Sequence, residues 1–284
     1  MNQKLTTANH DRHVAGLKYI YPVMSRRAGG LSIGINFNPN NACNWRCIYC
    51  QVPGLERGNA PDMDFELLAE EFGNFLKYVQ HGEFFERFNV ESGQRVIKDI
   101  AVSGNGEPCS LKRFDAAIRM LGEIASESGI FAASKFVLIS NGSLLHQITV
   151  QAGLRELARY GGELWFKLDS ATDQGRRLIN NARQSRKKLL ENLKIAGNSC
   201  TTKLQTCMLH YRGLAWSNSE KQAYLELLRE LQAREIPIRE IMLYSIARQS
   251  FQPEAMNLEK ADNEEMNAFA ADIKALGYDV SVNN

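Results

Sequence analysis

Three cysteines, Cys43, Cys47 and Cys50, stand within eight residues at the spacing C-x3-C-x2-C. Thiolates this close converge on one centre more readily than on three separate partners. A cubane iron–sulfur cluster suits them, because a short loop can wrap it while each sulfur takes a different iron. Three ligands leave the fourth iron open, and an open iron is a place for a substrate or cofactor. A structural zinc is the plainer alternative. It asks for four ligands in a tetrahedron, usually from two C-x2-C or Cys/His pairs. Only Cys47 and Cys50 form such a pair, and the nearest histidines, His13 and His81, lie far along the chain. A set of ordinary buried thiols is the remaining alternative. Cys109, Cys200 and Cys207 form no C-x2-C pair and read as small buried hydrophobes.

Further polar groups close the apolar runs. Ser103-Gly104-Asn105-Gly106-Glu107 follows one of them. Its glycines admit a ligand close to the main chain, and Glu107 could hold an amine. The alternative is a tight strand-to-helix turn, since the third glycine of a dinucleotide fingerprint is missing. Ser140 and Asn141 offer hydrogen bonds to ribose hydroxyls, or form an ordinary Asn-Gly turn with Gly142. Lys167 and Asp169 share strand parity at the end of an apolar strand, where a charge must be paired or bound to a ligand. They form a structural bridge, or Lys167 holds a ligand carboxylate. Arg248 is the best-placed cation of the last strand for an anionic ligand, with an ion pair as its alternative.

The elements that must position these groups follow from periodicity. Residues 31–37 alternate and are β-rich, and residues 65–79 carry apolar side chains at helical spacing, with Asp62 or Asp64 as cap. Strands are predicted at 97–102, 135–139, 164–168, 204–209 and 238–246, with helices at 114–124, 150–160, 186–195, 220–234 and 264–276 after them. An extra strand is predicted at 278–282. Six β-then-α units with right-handed crossovers give an α/β fold, a parallel sheet curved into a barrel or partial barrel. Chemistry in such folds sits at the carboxyl ends of the strands. The cysteines, Gly104 to Glu107, Ser140 to Gly142, Lys167 with Asp169, His210 with Arg212, and Arg248 with Gln249 are all expected to face one mouth. One domain is expected over 1–284, with a core of about 31–250, a lead-in over 1–30 and a C-terminal helix and strand in 251–284.

At 284 residues with 44% hydrophobic and 23% charged content, the composition is that of a soluble globular protein. No apolar run approaches the ~20 residues of a membrane span, and the first residues carry no signal-peptide core. Cysteines grouped as metal ligands argue for a reducing cytoplasm. A net charge of +2 does not predict nucleic-acid binding. Two local groups are basic: Lys4, Arg12, Lys18, Arg26 and Arg27 within residues 1–30, and Arg183, Arg186, Lys187, Lys188 and Lys194 on a predicted helix. A solvated helix face and an RNA-binding surface are both open for the second group.

With Tyr49 before its last cysteine, Cys43-x3-Cys47-x2-Cys50 resembles the signature of the radical S-adenosylmethionine superfamily. Gly104-Asn105-Gly106-Glu107 resembles its second-strand glycine–glutamate motif, with Asn105 in place of one glycine. Across about residues 18–255 the strand ends, with Tyr21-Pro22-Val23, Lys167-Leu168-Asp169-Ser170, Gln205-Thr206 and Ala247-Arg248, resemble a bacterial stand-alone branch grouped with the wyosine synthetases of tRNA. The resemblance implies a partial (β/α)6 barrel. It also implies a [4Fe–4S] cluster on Cys43, Cys47 and Cys50, whose open iron chelates S-adenosylmethionine. One electron from the reduced cluster would yield methionine and a 5′-deoxyadenosyl radical that takes hydrogen from substrate. By position, Gly104, Asn105, Gly106 and Glu107 would hold the methionine amino group, Ser140 and Asn141 face the ribose, Lys167 with Asp169 meet the carboxylate, and Tyr49 lie near adenine through its backbone. Implied partners are a flavodoxin or ferredoxin as electron donor and a substrate that is RNA, tRNA first, or protein, as for glycyl-radical activating enzymes. A monomer is expected. A non-catalytic metal-binding module is the remaining rival, and it would have no need of the Gly104–Glu107 motif. As a family, the wyosine synthetases carry a second cluster on further cysteines; Cys109, Cys200 and Cys207 are widely separated, and both a second cluster on them and its absence stay open.

Overall fold

The computed structural model describes residues 15–25 and 29–283; Lys4, Arg12, Arg26 and Arg27 of the first basic group lie outside the described residues. In chain order the strands and helices are β1 (Ile20–Ser25), β2 (Gly30–Asn36), β3 (Ala42–Cys43), β4 (Glu56–Arg57), α1 (Phe65–Gln80), α2 (Glu83–Arg87), β5 (Ile97–Ser103), α3 (Phe114–Glu127), β6 (Lys135–Ser140), α4 (Ile148–Arg159), β7 (Glu163–Lys167), α5 (Asp173–Asn180), α6 (Arg186–Ser199), β8 (Thr201–Tyr211), α7 (Asn218–Ala233), β9 (Glu240–Ser245), β10 (Leu258–Lys260), α8 (Asn263–Lys274) and β11 (Val280–Asn283). One sheet runs β1-β2-β5-β6-β7-β8-β9-β11. From β2 to β11 every neighbour is parallel, and β1 pairs antiparallel with β2. The order follows the chain with one helical crossover per step, which curls the sheet into the open, partial barrel expected from the sequence.

Strands covered on both faces read as near-continuous apolar runs, as Ile100-Ala101-Val102 does. The apolar stripe of α1 (Leu68, Phe72, Phe75, Leu76, Val79) is fully buried, each side chain contributing roughly 1.5–3 kcal/mol of transfer free energy. Helix starts are fixed by side-chain caps: Asp64 accepts from Leu67 N at 3.0 Å, Thr172 from Gly175 N at 2.9 Å and Asp262 from Glu265 N at 2.7 Å. Among the described residues no helix is long and apolar enough to cross a membrane.

Besides the short elements β3, β4, α2 and β10, which the sequence pattern does not place, four elements differ from the sequence expectation. Residues 20–25 form strand β1 rather than a lead-in piece, held where Glu71 of α1 accepts Lys18 N and Tyr19 N, both at 2.8 Å. The extra C-terminal strand lies at Val280–Asn283 and pairs with β9. Strand β8 runs on to Tyr211, because its end pairs antiparallel with β10. The sequence reading places no helix at α5, since DQGRRLIN offers only Leu178 and Ile179 as apolar side chains; the Thr172 cap starts it.

Candidate functional site

The cysteine segment has almost no regular structure and is gripped from outside. Ile48 is buried with Ile179, Cys207 and Leu209 in a small apolar cluster of its own. Backbone bonds join it to the end of α5: Ile48 N donates to Ile179 O at 2.8 Å and Arg46 N to Asn180 O at 3.2 Å. Residues after β9 hold the other side. Phe251 N donates to Cys50 O at 3.0 Å, and the Ser250 hydroxyl to Ile48 O at 2.8 Å. Both terminal nitrogens of Arg46 reach the Glu254 carboxylate at 2.7 Å.

Above the strand ends this loop closes a cleft of about 360 Å³. All three cysteines line it, with Tyr49, Gly104, Asn105, Gly106, Glu107, Ser140, Asn141, Lys167 and Arg248. Asp169 does not line it and sits behind Lys167, 1% exposed. His210 and Arg212 do not line it either: the His210 ring lies 2.8 Å from Glu265 of α8, because β8 continues past the mouth. Gln205 and Tyr244 line it instead. Gln205 belongs to the Gln205-Thr206 pair of the sequence resemblance, and strand parity could have flagged Tyr244, which lies on an inward position of β9.

Glu107 is 2% exposed, and three groups donate to it: Cys109 N at 3.0 Å, the Ser140 hydroxyl at 2.7 Å and Asn141 N at 2.8 Å. Burial pushes its carboxyl above the usual range, against those hydrogen bonds. Ser140 and Asn141 spend their side chains on protein. Asn141 donates to Asn44 Oδ1 at 2.8 Å and accepts from the Ser143 hydroxyl at 2.7 Å. Lys167 lies 3.5 Å from Asp169 Oδ1, contacts the Tyr244 hydroxyl, and stands 5.1 Å from the Tyr49 ring centroid. Burial would lower the Lys167 ammonium, but the Asp169 carboxylate and the Tyr244 hydroxyl push it up. Asp169 also accepts from the Tyr49 hydroxyl, from Cys207 N at 2.9 Å and from Asn180 Nδ2 at 2.7 Å.

The two glycines serve the protein's own packing. A Cβ on Gly106 would fall 1.9 Å from Ala42 O, and one on Gly104, whose φ is 142°, 2.4 Å from Asn36 Oδ1. Asn105 joins the same contact, its side chain donating to Asn41 Oδ1 at 2.6 Å. The close approach that glycine permits is thus made by Asn36 and the cysteine loop.

The donor set fits a cluster. N–H groups already point at two sulfurs, Trp45 N at Cys43 Sγ (3.4 Å) and Asn180 Nδ2 at Cys47 Sγ (3.2 Å), as bound thiolates accept. As free thiols, burial pushes Cys43 up and Cys47 up to about 12, so ionisation needs a positive centre. Among the described residues no three His, Cys, Asp or Glu side chains close round a single ion. Sulfurs that hold three different corners of a cluster need not do so. Cys109, Cys200 and Cys207 are buried in separate strands and loops. Of the second basic group, Arg186 pairs with Glu230 at 2.6 Å and Lys188 with Glu191 at 3.7 Å, while Arg183, Lys187 and Lys194 are exposed.

Comparison with known proteins agrees with this geometry. The UPF0026 protein of Helicobacter pylori, in two strains, is 26% identical over 136 residues, which cover 48% of this chain and 38% of the relative. The match therefore spans well under half the length of these curated relatives. Among solved structures, SuiB of Streptococcus suis bound to S-adenosylmethionine has a TM-score of 0.57 at 11% identity, covering 91% of this chain and 52% of that one. SuiB bound to the precursor peptide SuiA has a TM-score of 0.58 at 12% identity, with 88% and 48% covered. TYW1 with a lysine-pyruvate adduct bound has a TM-score of 0.55 at 16% identity, with 86% and 73% covered. These likenesses are of fold. Residues 37–213, more than half the chain, match the family model of the Radical SAM superfamily, and the chain belongs to that superfamily, whose cofactors are a [4Fe–4S] cluster and S-adenosylmethionine.

Proposed function

We propose that this chain, acting as one domain over residues 1–284, cleaves S-adenosylmethionine reductively and abstracts hydrogen from a separate substrate. The observation that carries the reading is Glu107. It is a buried carboxylate in a cleft with three cysteines, and among the described residues it has no cationic side-chain partner. A carboxylate so placed is costly until a cation arrives. The ammonium of S-adenosylmethionine is such a cation.

When bound, the cluster and S-adenosylmethionine together supply a one-electron cleavage that gives a 5′-deoxyadenosyl radical. The chain's own residues position the parts. Cys43, Cys47 and Cys50 would each hold one iron of the cluster. Glu107 would take the ammonium, its oxygens kept aimed by the Ser140 hydroxyl and the Asn141 backbone N–H on the ribose side. Lys167 would offer its charge to the methionine carboxylate while Asp169 holds the lysine ammonium in place. Gly104, Asn105 and Gly106 keep the β5 turn against the cysteine loop, and the Tyr49 backbone would face adenine. The electron donor is a flavodoxin or ferredoxin, and the chain works in the cytoplasm.

The substrate we propose is RNA, tRNA first. The likeness to TYW1 and the exposed Arg183, Lys187 and Lys194 support this. A protein substrate is favoured by one observation, the likeness to SuiB solved with a precursor peptide. Anaerobic calorimetry of S-adenosylmethionine binding to the reconstituted protein tests the site. Wild type should bind, and Glu107→Gln and Cys47→Ala should lose at least tenfold in affinity; equal affinity in Glu107→Gln would remove Glu107 from the site. Binding of tRNA that weakens steeply with salt supports RNA. Binding indifferent to salt favours the peptide reading.

A further inference from the structure

Asn180 has a place that the roles assigned above do not use. It ends α5, is 1% exposed, and its side-chain nitrogen lies 3.2 Å from Cys47 Sγ and 2.7 Å from Asp169 Oδ2. Its Oδ1 is buried without a hydrogen-bond partner. The amide orientation is fixed by charge. An oxygen turned toward the Asp169 carboxylate would repel it, so the nitrogen faces Asp169 and its second hydrogen falls on the sulfur. Asp169 is itself immobile, held by Cys207 N at 2.9 Å, the Tyr49 hydroxyl and the Lys167 ammonium at 3.5 Å. Residues on either side of Asn180 grip the loop backbone: Ile179 O accepts from Ile48 N at 2.8 Å, and Asn181 Nδ2 donates to Arg46 O at 2.8 Å. The sulfur therefore cannot drift from the donor.

Hydrogen bonds to cluster sulfurs are among the levers that set reduction potential, because a donor favours the state with more negative charge on sulfur. Neither Asn180 nor its contact is part of the three-cysteine signature. We propose that Asn180 is a positioning residue that raises the reduction potential of the cluster by donating an N–H to Cys47 Sγ, with Asp169 holding the amide in that orientation. This rests on the assignment of the cluster to Cys43, Cys47 and Cys50.

The test is an anaerobic redox titration of the reconstituted cluster, read by electron paramagnetic resonance. Asn180→Leu keeps the branched four-atom shape of the side chain and removes the donor. Asn181→Leu removes a bond to the same loop without touching a sulfur. The expected result is a lower potential in Asn180→Leu, the reduced fraction at a fixed ambient potential falling about tenfold, and the wild-type potential in Asn181→Leu. A wild-type potential in Asn180→Leu would overturn the proposal. So would an equal shift in both variants, because loop disturbance alone would then explain it. Should Asn180→Leu fail to hold a cluster, pulsed resonance on wild type labelled with 15N-asparagine decides. A side-chain nitrogen coupled to the reduced cluster supports the bond, and none overturns it. Absence of any cluster in wild type is a separate outcome, and it overturns the cluster assignment itself.

Discussion

The Ser140 hydroxyl donates to Glu107 Oε1 at 2.7 Å, so the end of β6 holds the carboxylate that the end of β5 carries. Burial raises this carboxyl above the 4.5 of a free one. The folded state then holds the proton more tightly than the unfolded state. The associated stability is fully present below pH 4.5 and is lost as pH rises through the raised value. Urea midpoints of the apoprotein should fall across that window, and Glu107→Gln should lack that part of the slope. The same slope in Glu107→Gln would assign it to another group.

Gly106 and Gly73 make a matched pair for backbone space. A methyl on Gly106 meets Ala42 O at 1.9 Å, whereas one on Gly73, inside α1, meets nothing within 4 Å. Gly106→Ala should cost about 1–3 kcal/mol through overpacking and reduce cluster loading. Gly73→Ala should stabilise by about 0.5–1 kcal/mol through helix propensity. Thermal unfolding with an iron count per chain checks both. Full loading in Gly106→Ala would show that the cysteine loop tolerates the displacement.

Much of this arrangement is legible in the sequence, and the rest is missing for physical reasons. The six parallel strands carry period and branched residues, and they place Glu107, Ser140 and Lys167 at one edge. The Cys43–Cys50 spacing declares its own chemistry. What periodicity cannot give is long-range pairing. Arg46 with Glu254, Asn180 with Cys47 and Tyr49 with Asp169 are each joined over more than a hundred residues. Helix α5, which supplies Asn180, is short and polar, with Ile179 as its one buried apolar side chain to announce it. The sequence pattern ends the strand at Leu209 and so puts His210 and Arg212 in the mouth, but β8 continues to Tyr211 in its pairing with β10 and carries them past it.

The Arg46–Glu254 pair titrates with the opposite sign to Glu107. The Arg46 guanidinium holds the Glu254 carboxyl below 4.5, so its stabilisation is present above pH 4.5 and is lost as pH falls through the lowered value. The side chains are 29% and 19% exposed, which limits the pair to about 1 kcal/mol. Glu254→Gln should flatten the acid limb of the stability curve and slow cluster uptake. An acid limb identical to wild type would mean that the bridge is not formed in solution.

Lys167 and Asp169 are a buried pair, their side chains 14% and 0% exposed. Removing one partner strands the other. Asp169→Ala should cost about 3–5 kcal/mol in chemical denaturation. It should also weaken S-adenosylmethionine binding, because Lys167 loses its anchor. A loss below 1 kcal/mol would mean that the ammonium finds water instead.

Formation of 5′-deoxyadenosine tests reductive cleavage of S-adenosylmethionine directly. Anaerobically reconstituted protein is mixed with dithionite and S-adenosylmethionine, and the product is followed by liquid chromatography, with Cys47→Ala beside it. Wild type should show a [4Fe–4S] absorbance and form 5′-deoxyadenosine, and Cys47→Ala should do neither. Wild type that retains zinc in place of iron, or a Cys47→Ala protein that forms the nucleoside as fast as wild type, would contradict this expectation.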